Sequence, residues 1–308
     1  MSNDLIIKTD NLYEYMKDVE KYEKNIYACS SGVPTIGVGF ALLVKGNKTW
    51  SIKDNLFSDR ENGVFKSAGV SLPNKEQIKK MKNVLDDIRK KLDNDKTDAA
   101  KNLVENNSKT LNKLTINNKQ SKTLFKDVQK EYEGTLITEV KKKAGVSKKK
   151  AKKLIKSLSE DEQIALFSSV YTASTAIGSS LCSALKNYTK DDIEEIDKAY
   201  NKAQAWYEIR NNTHKSGWEY LDGDIDKKGG SADGLANRRY KDSLKFGLYG
   251  LSQGDNIDLT QEQKDGVRNF LYSDEGRGEK SVIKTIKTYE KEFSPQSGDL
   301  GDKKHDKM

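Results

Sequence analysis

The stretch from Glu20 to Phe40, EKYEKNIYACSSGVPTIGVGF, restricts the local geometry of this chain more than any other. Ahead of it, Asp10 and Asn11 are placed to cap a helix whose apolar positions Leu12, Met16 and Val19 recur every three to four residues. Glu20 then falls in the last turn, beside that apolar stripe. A carboxylate in such a place meets the negative end of the helix dipole and loses part of its hydration. Both effects favour the protonated form that a general acid uses. Beyond the helix, Ile26–Cys29 and Thr35–Val38 are β-prone, and Ser30-Ser31-Gly32-Val33-Pro34 between them has turn composition, so the segment predicts a hairpin. Such a hairpin carries Cys29 and Thr35 on either side of its turn, facing the helix end that holds Glu20. Gly37 and Gly39 leave the backbone bare enough for a ligand to come close.

Glu20, Tyr27, Gly32 and the run Thr35-Ile36-Gly37-Val38-Gly39 resemble the active-site signature of the phage-type lysozymes, glycoside hydrolase family 24. In that family a Glu is the acid, an Asp nine residues later helps to activate the attacking water, and a Thr fifteen residues later positions it. The resemblance gives Glu20 the first role and Thr35 the third, while Cys29 stands at the second position. Lys21 occupies the place where a Gly usually follows the acid, and Phe40 the place of a usual His.

Further matches follow downstream. Thr115–Val128 resembles the helix that opens the family's second lobe, with Leu124, Phe125 and Val128 as its buried face, continued by Tyr132, Leu136 and Val140. Leu158–Leu185 is again similar, with Leu166, Phe167 and Val170 at helical spacing and Thr172 where the family usually has Asn. Gly234–Arg239, with Asp242, Leu244 and Phe246, is similar to the closing helix. Its double Arg, together with AWYEIR at Ala205–Arg210 on an expected core helix, looks like the pesticin-like muramidase branch. Adjacent arginines do not share a helix face, so one of them is expected to pin the domain through a carboxylate.

The resemblance covers about 10–44 and 114–250. It implies an α+β, lysozyme-like fold with a small hairpin-containing lobe, a larger helical lobe and a cleft between them. The domain would run over 1–250 with a helical insertion at about 45–113, followed by a helical, partly disordered tail over 251–308. The implied activity is hydrolysis of the β-1,4 bond between N-acetylmuramic acid and N-acetylglucosamine in peptidoglycan. Glu20 would protonate the leaving oxygen, Gly39 and Ala41 would floor the cleft, and Thr172 would offer a hydroxyl to a sugar. Three roles stay open for Cys29: placing the water with Thr35, acting as a nucleophile once deprotonated, or imitating a carboxylate after oxidation to a sulfinate. No cofactor or metal is implied. A catalytically silent wall-binding protein and a basic nucleic-acid-binding protein are the rival readings.

Inside the insertion, Ser71-Leu72-Pro73-Asn74 reads as a helix start, followed by Ile78, Met81, Val84, Leu85, Ile88 and Leu92, with a second helix over Ala99–Leu114. This hairpin of helices is expected to be mostly exposed. The block Lys141–Lys156 holds nine Lys and no acid, and without Arg or interleaved aromatics it reads as a solvated helix face rather than a nucleic-acid site. Asp222, Asp224 and Asp226 have calcium-loop spacing, but the terminal Glu of such a loop is missing, so no metal site is expected. Short helices are expected around Gln261–Tyr272 and Ser281–Phe293.

The charge balance of 55 Lys+Arg against 47 Asp+Glu suits an anionic partner such as the wall's glycan strands. With 34% hydrophobic and 33% charged residues, the chain should combine a true core with long solvated helices. Cys29 and Cys182 are too few for a disulfide framework. The opening MSNDLIIKTD lacks the basic start and apolar core of a signal peptide, and no apolar run is long enough to span a bilayer. The expectation is therefore a monomer made in the cytoplasm, not inserted in membranes, and brought to the wall by another system. A delivery or immunity protein is a possible partner. Phage endolysin, injected interbacterial effector and bacteriocin all remain open.

Overall fold

The computed structural model describes residues 5–190, 192, 194–211, 231–247, 260 and 262. These residues are mostly helical, with small antiparallel sheets. The chain divides into two compact units: Lys8–Glu131, and the remainder, which takes in residues 5–7 and everything described from Tyr132 onward.

The first unit opens with α1 (Thr9–Glu20), which buries Leu12, Tyr13 and Met16. The expected cap is absent, because the helix starts at Thr9 and no side chain caps it. Asp10 is instead drawn to Lys122, 2.9 Å away, whose hydrogen bond and charge hold the carboxyl below its ordinary range. Strands β1 (Glu23–Ala28), β2 (Pro34–Gly37) and β3 (Phe40–Ala41) then form an antiparallel sheet in that order. Between β1 and β2 the Cys29 N–H donates to Val33 O (3.0 Å) and the Gly32 N–H to Cys29 O (2.8 Å), with Gly32 at φ +77°. This is a three-residue loop closed by a left-handed glycine. A second hairpin, β4 (Leu43–Lys45) with β5 (Trp50–Ile52), follows. The short α2 (Val64–Ser67) brings Phe65 between Phe40 and Phe57, with ring centroids 6.1 and 5.7 Å apart.

Helix α3 (Lys75–Asp93) begins in a capping box, in which Asn74 and Gln77 satisfy each other's backbone N–H. After it come α4 (Thr97–Asn106) and α5 (Ser108–Leu111). The apolar period is as expected, and most residues of α3 outside that stripe are exposed or half-buried, also as expected. Met81, Leu85, Ile88, Leu92, Ala100, Val104 and Leu111 are all buried. Helix α4 lies on the tip of the first hairpin: a Cβ at Gly32 would stand 2.9 Å from Thr97 O and 3.3 Å from the Ala100 Cβ. These helices complete the unit's core rather than decorating it.

Helix α6 (Asn118–Lys143) contributes its first half to this unit, with Leu124, Phe125 and Val128 buried and Phe125 edge-on to Tyr13. Its second half belongs to the other unit, where Leu136, Ile137 and Val140 join the largest hydrophobic cluster. There, α7 (Lys148–Ser157) is capped by Ser147 and turns Ala151, Leu154 and Ile155 inward, which leaves its lysines mostly exposed. Helix α8 (Glu160–Thr172) starts in a Ser159/Glu162 capping box and buries Leu166, Phe167 and Val170. It is followed by α9 (Ser179–Tyr188), α10 (Glu195–Asn211) with Trp206 and Tyr207 buried, and α11 (Ser231–Phe246).

As expected, one of the adjacent arginines, Arg238, meets a carboxylate, and both arginines are buried. The Arg238 Nε donates to Ser168 Oγ (2.6 Å) and lies 3.6 Å from Asp242, which also accepts hydrogen bonds from Ser168 and Ser169. Burial pulls the Arg239 guanidinium below its ordinary value, with Asp242 opposing that shift. Deeper still, Lys202 and Glu162 pair at 3.2 Å, each 1% exposed. The expected Asp-rich loop lies outside the described residues, as do the expected tail helices apart from Thr260 and Glu262. Among the described residues no helix is long and apolar enough to cross a membrane.

Candidate active site

Glu20 is the last residue of α1 and is half-buried. The helix stops immediately after it, because Lys21 turns to φ 64°, ψ 154°. That region of backbone space is essentially reserved for glycine, and a residue with a side chain is strained there by about 1–3 kcal/mol. Lys21 thus holds, with a side chain, a backbone conformation that is ordinarily left to glycine. Next, the Tyr22 hydroxyl donates to Ile116 O at 2.5 Å, fixing the path of the chain into β1. Lys21→Gly should therefore raise stability by about 1 kcal/mol, once the extra freedom of an unfolded glycine is subtracted. A higher urea midpoint with an unchanged slope would show this, and a lower midpoint would mean that the strain is absent.

The strand register aligns the rest of the site. Tyr27 of β1 pairs with Thr35 of β2, and Thr35 pairs with Ala41 of β3, so the three residues form one row across the sheet. The neighbouring pair, Ile36 and Phe40, belongs to the alternate face and is buried in the core. Burial first, and then the charges of Glu20, Cys29 and Glu23, push the Tyr27 phenol well above its ordinary value. Tyr27 thus keeps its phenolic proton as a hydrogen-bond donor at any physiological pH.

Cys29 follows β1 directly, half-buried and unoxidised, with its Sγ 3.1 Å from Ser31 Oγ. Thr35 is only 3% exposed, and its hydroxyl donates to Val33 O at 3.0 Å. Its proton is committed to the backbone, so towards a water Thr35 can act only as an acceptor. Gly39 and Ala41 are half-buried at the β2–β3 turn and on β3. Gly37 does not serve a ligand. A Cβ there would fall 2.5 Å from Ser121 Oγ, and that hydroxyl accepts the Val38 N–H at 3.2 Å, so the bare backbone is filled by α6.

Glu20, Cys29, Thr35, Gly39 and Ala41 all lie in the Lys8–Glu131 unit. Thr172 belongs to the other unit, as the exposed last residue of α8, with its hydroxyl donating to Ser168 O at 2.9 Å. Cys182 is buried, its thiol pushed up to about 12 chiefly by burial, which leaves Cys29 as the chemically available thiol. The sequence reading used Tyr27 only as a motif residue and passed over Ser31. The two-residue step from Cys29 to Ser31 within a turn was the signal for that pairing. No family model matches this chain, and neither a curated protein nor a solved structure matches it.

Proposed function

We propose that the protein is a lysozyme-like muramidase that cleaves the β-1,4 bond between N-acetylmuramic acid and N-acetylglucosamine in peptidoglycan. The observation that carries this reading is the row of Tyr27, Thr35 and Ala41 across the sheet, with Cys29 directly after β1 and hydrogen-bonded to Ser31. In this mechanism Glu20 donates its proton to the leaving glycosidic oxygen. Cys29, with Ser31, and the acceptor face of Thr35 hold the water that attacks the opposite side of the sugar ring. Tyr27 supplies a permanently protonated donor next to the acid. The wall's glycan strands are the partner.

The test is incubation with purified peptidoglycan, followed by mass spectrometry and anomeric analysis of the products. New reducing ends with inverted stereochemistry support water attack, whereas retention supports a covalent thioglycoside route. Cys29→Asp should maintain or raise turnover, because a carboxylate accepts more strongly and stabilises the cationic transition state. Cys29→Ala should lose about a hundred- to ten-thousand-fold, the range for removing a general base. Cys29→Ser should keep activity if the side chain places water and lose it if the thiolate is the nucleophile. Full activity in Cys29→Ala would remove the residue from the mechanism.

One observation favours a second reading. The acid's partner position holds a thiol bonded to Ser31 instead of a carboxylate, as expected of a wall-binding descendant without turnover. Co-sedimentation with peptidoglycan without any new reducing ends would select it.

A further inference from the structure

A groove of about 820 Å³ opens beside the start of α3, in the same unit as the candidate active site but built from none of its residues. Its floor is apolar: Phe57 is buried there, and Leu72, Pro73 and Ile78 are half-buried. One side is lined by Lys75, Lys79 and Lys82. They recur at one-turn spacing along the helix, which spreads three positive charges over about 10 Å. All three are exposed and take part in no ion pair among the described residues. Elsewhere on α3 most charges are matched: Lys80 with Glu76 at 2.8 Å, Arg89 with Asp86 at 2.9 Å and with Asp93 at 2.8 Å, and Lys90 with Asp86 at 2.9 Å. A single acid, Asp59, lines the groove. Apart from Lys91 near the far end of the helix, the lysines of α3 without an ion pair all line this cavity.

We propose that this groove is a docking site for a short acidic amphipathic peptide segment of a protein partner. The charge pattern selects carboxylates repeating once per helical turn, and the floor selects apolar side chains next to them, the arrangement of a helix laid in a groove. The volume lies within the range of sites that enclose a small ligand or a few side chains, roughly 300–1,000 Å³. A nucleic acid fits poorly, since no Arg fork and no exposed aromatic platform lines the groove. The assignment is independent of the muramidase reading.

The test is fluorescence anisotropy on the full chain, with a labelled helical peptide that carries Glu on one face and Leu on the adjoining one. Polyglutamate and phosphatidylglycerol vesicles serve as competitors. The amphipathic peptide should bind, and binding should weaken as ionic strength rises. The variant Lys75→Gln/Lys79→Gln/Lys82→Gln should weaken it about ten-fold or more. Leu72→Ser/Ile78→Ser, which keeps every charge, should also weaken it by several-fold. Unchanged thermal melts in both variants would place the loss at the groove. Absence of peptide binding, equal binding of polyglutamate, displacement by the vesicles at lower concentration, or wild-type affinity in either variant would each overturn the proposal.

Discussion

Replacing Glu20 with Gln should cut the release of new reducing ends from purified peptidoglycan by about a hundred- to ten-thousand-fold, the range associated with general acid catalysis. The amide is nearly isosteric with the carboxyl but has no proton to give to a glycosidic oxygen. Because Glu20 ends α1 and is half-buried, the exchange should leave the fold and wall binding in place. Glu23 is the appropriate comparison, being exposed on β1 three residues away and also near enough to act on Tyr27. Glu23→Gln should keep turnover. If the two results were exchanged, the acid would be Glu23, and the spacing to Cys29 and Thr35 on which the mechanism rests would be lost.

The second large effect concerns stability, in the other unit. Asp242 is fully buried, accepts hydrogen bonds from Ser168 and Ser169, pairs with Arg238 at 3.6 Å, and acts by its charge on Arg239 as well. Asp242→Ala should cost about 3–5 kcal/mol, because it leaves buried guanidinium charge without its counter-ion. Against a total stability of about 5–15 kcal/mol, that is enough to unfold a large fraction of the molecules on mild warming. Lys245→Met, which breaks the more exposed pair with Asp161, should cost no more than about 1 kcal/mol. Urea unfolding of both variants provides the comparison. An Asp242→Ala midpoint close to wild type would mean that the cluster does not hold the unit together.

Signals carried by neighbours in sequence were the legible ones. The helix over α6 and the buried faces of α8 and α10 follow from apolar spacing alone, and the turn at Ser30–Gly32 follows from composition. What the spacing could not supply was the identity of the packing partner. The stripe of α3 was readable, yet its burial depends on which elements cover it, namely α4 after it and β5 before it. Asp10 looked like a cap until a residue more than a hundred positions later claimed it. Gly37 looked open until Ser121 filled the space. At the site, the positive φ of Lys21 could not be read, because a backbone torsion that favours glycine leaves no trace in a lysine's identity. Tyr27 is the clearest omission: its role comes from register and nearby charge, neither of which is encoded in its own position.

The meeting of Gly32 with Thr97 and Ala100 bears on how such a protein could be shortened or could have grown. The bend that sets Cys29 and Thr35 apart rests directly on a helix from the chain's least familiar stretch. That segment is a foundation for the loop it packs against. It can no longer be excised as a cassette, because its removal would bare the tip of the hairpin and the apolar faces of α3 and α4 together. Any redesign of the unit would have to carry hairpin and helices as one block, joined through the steric fit at a single glycine.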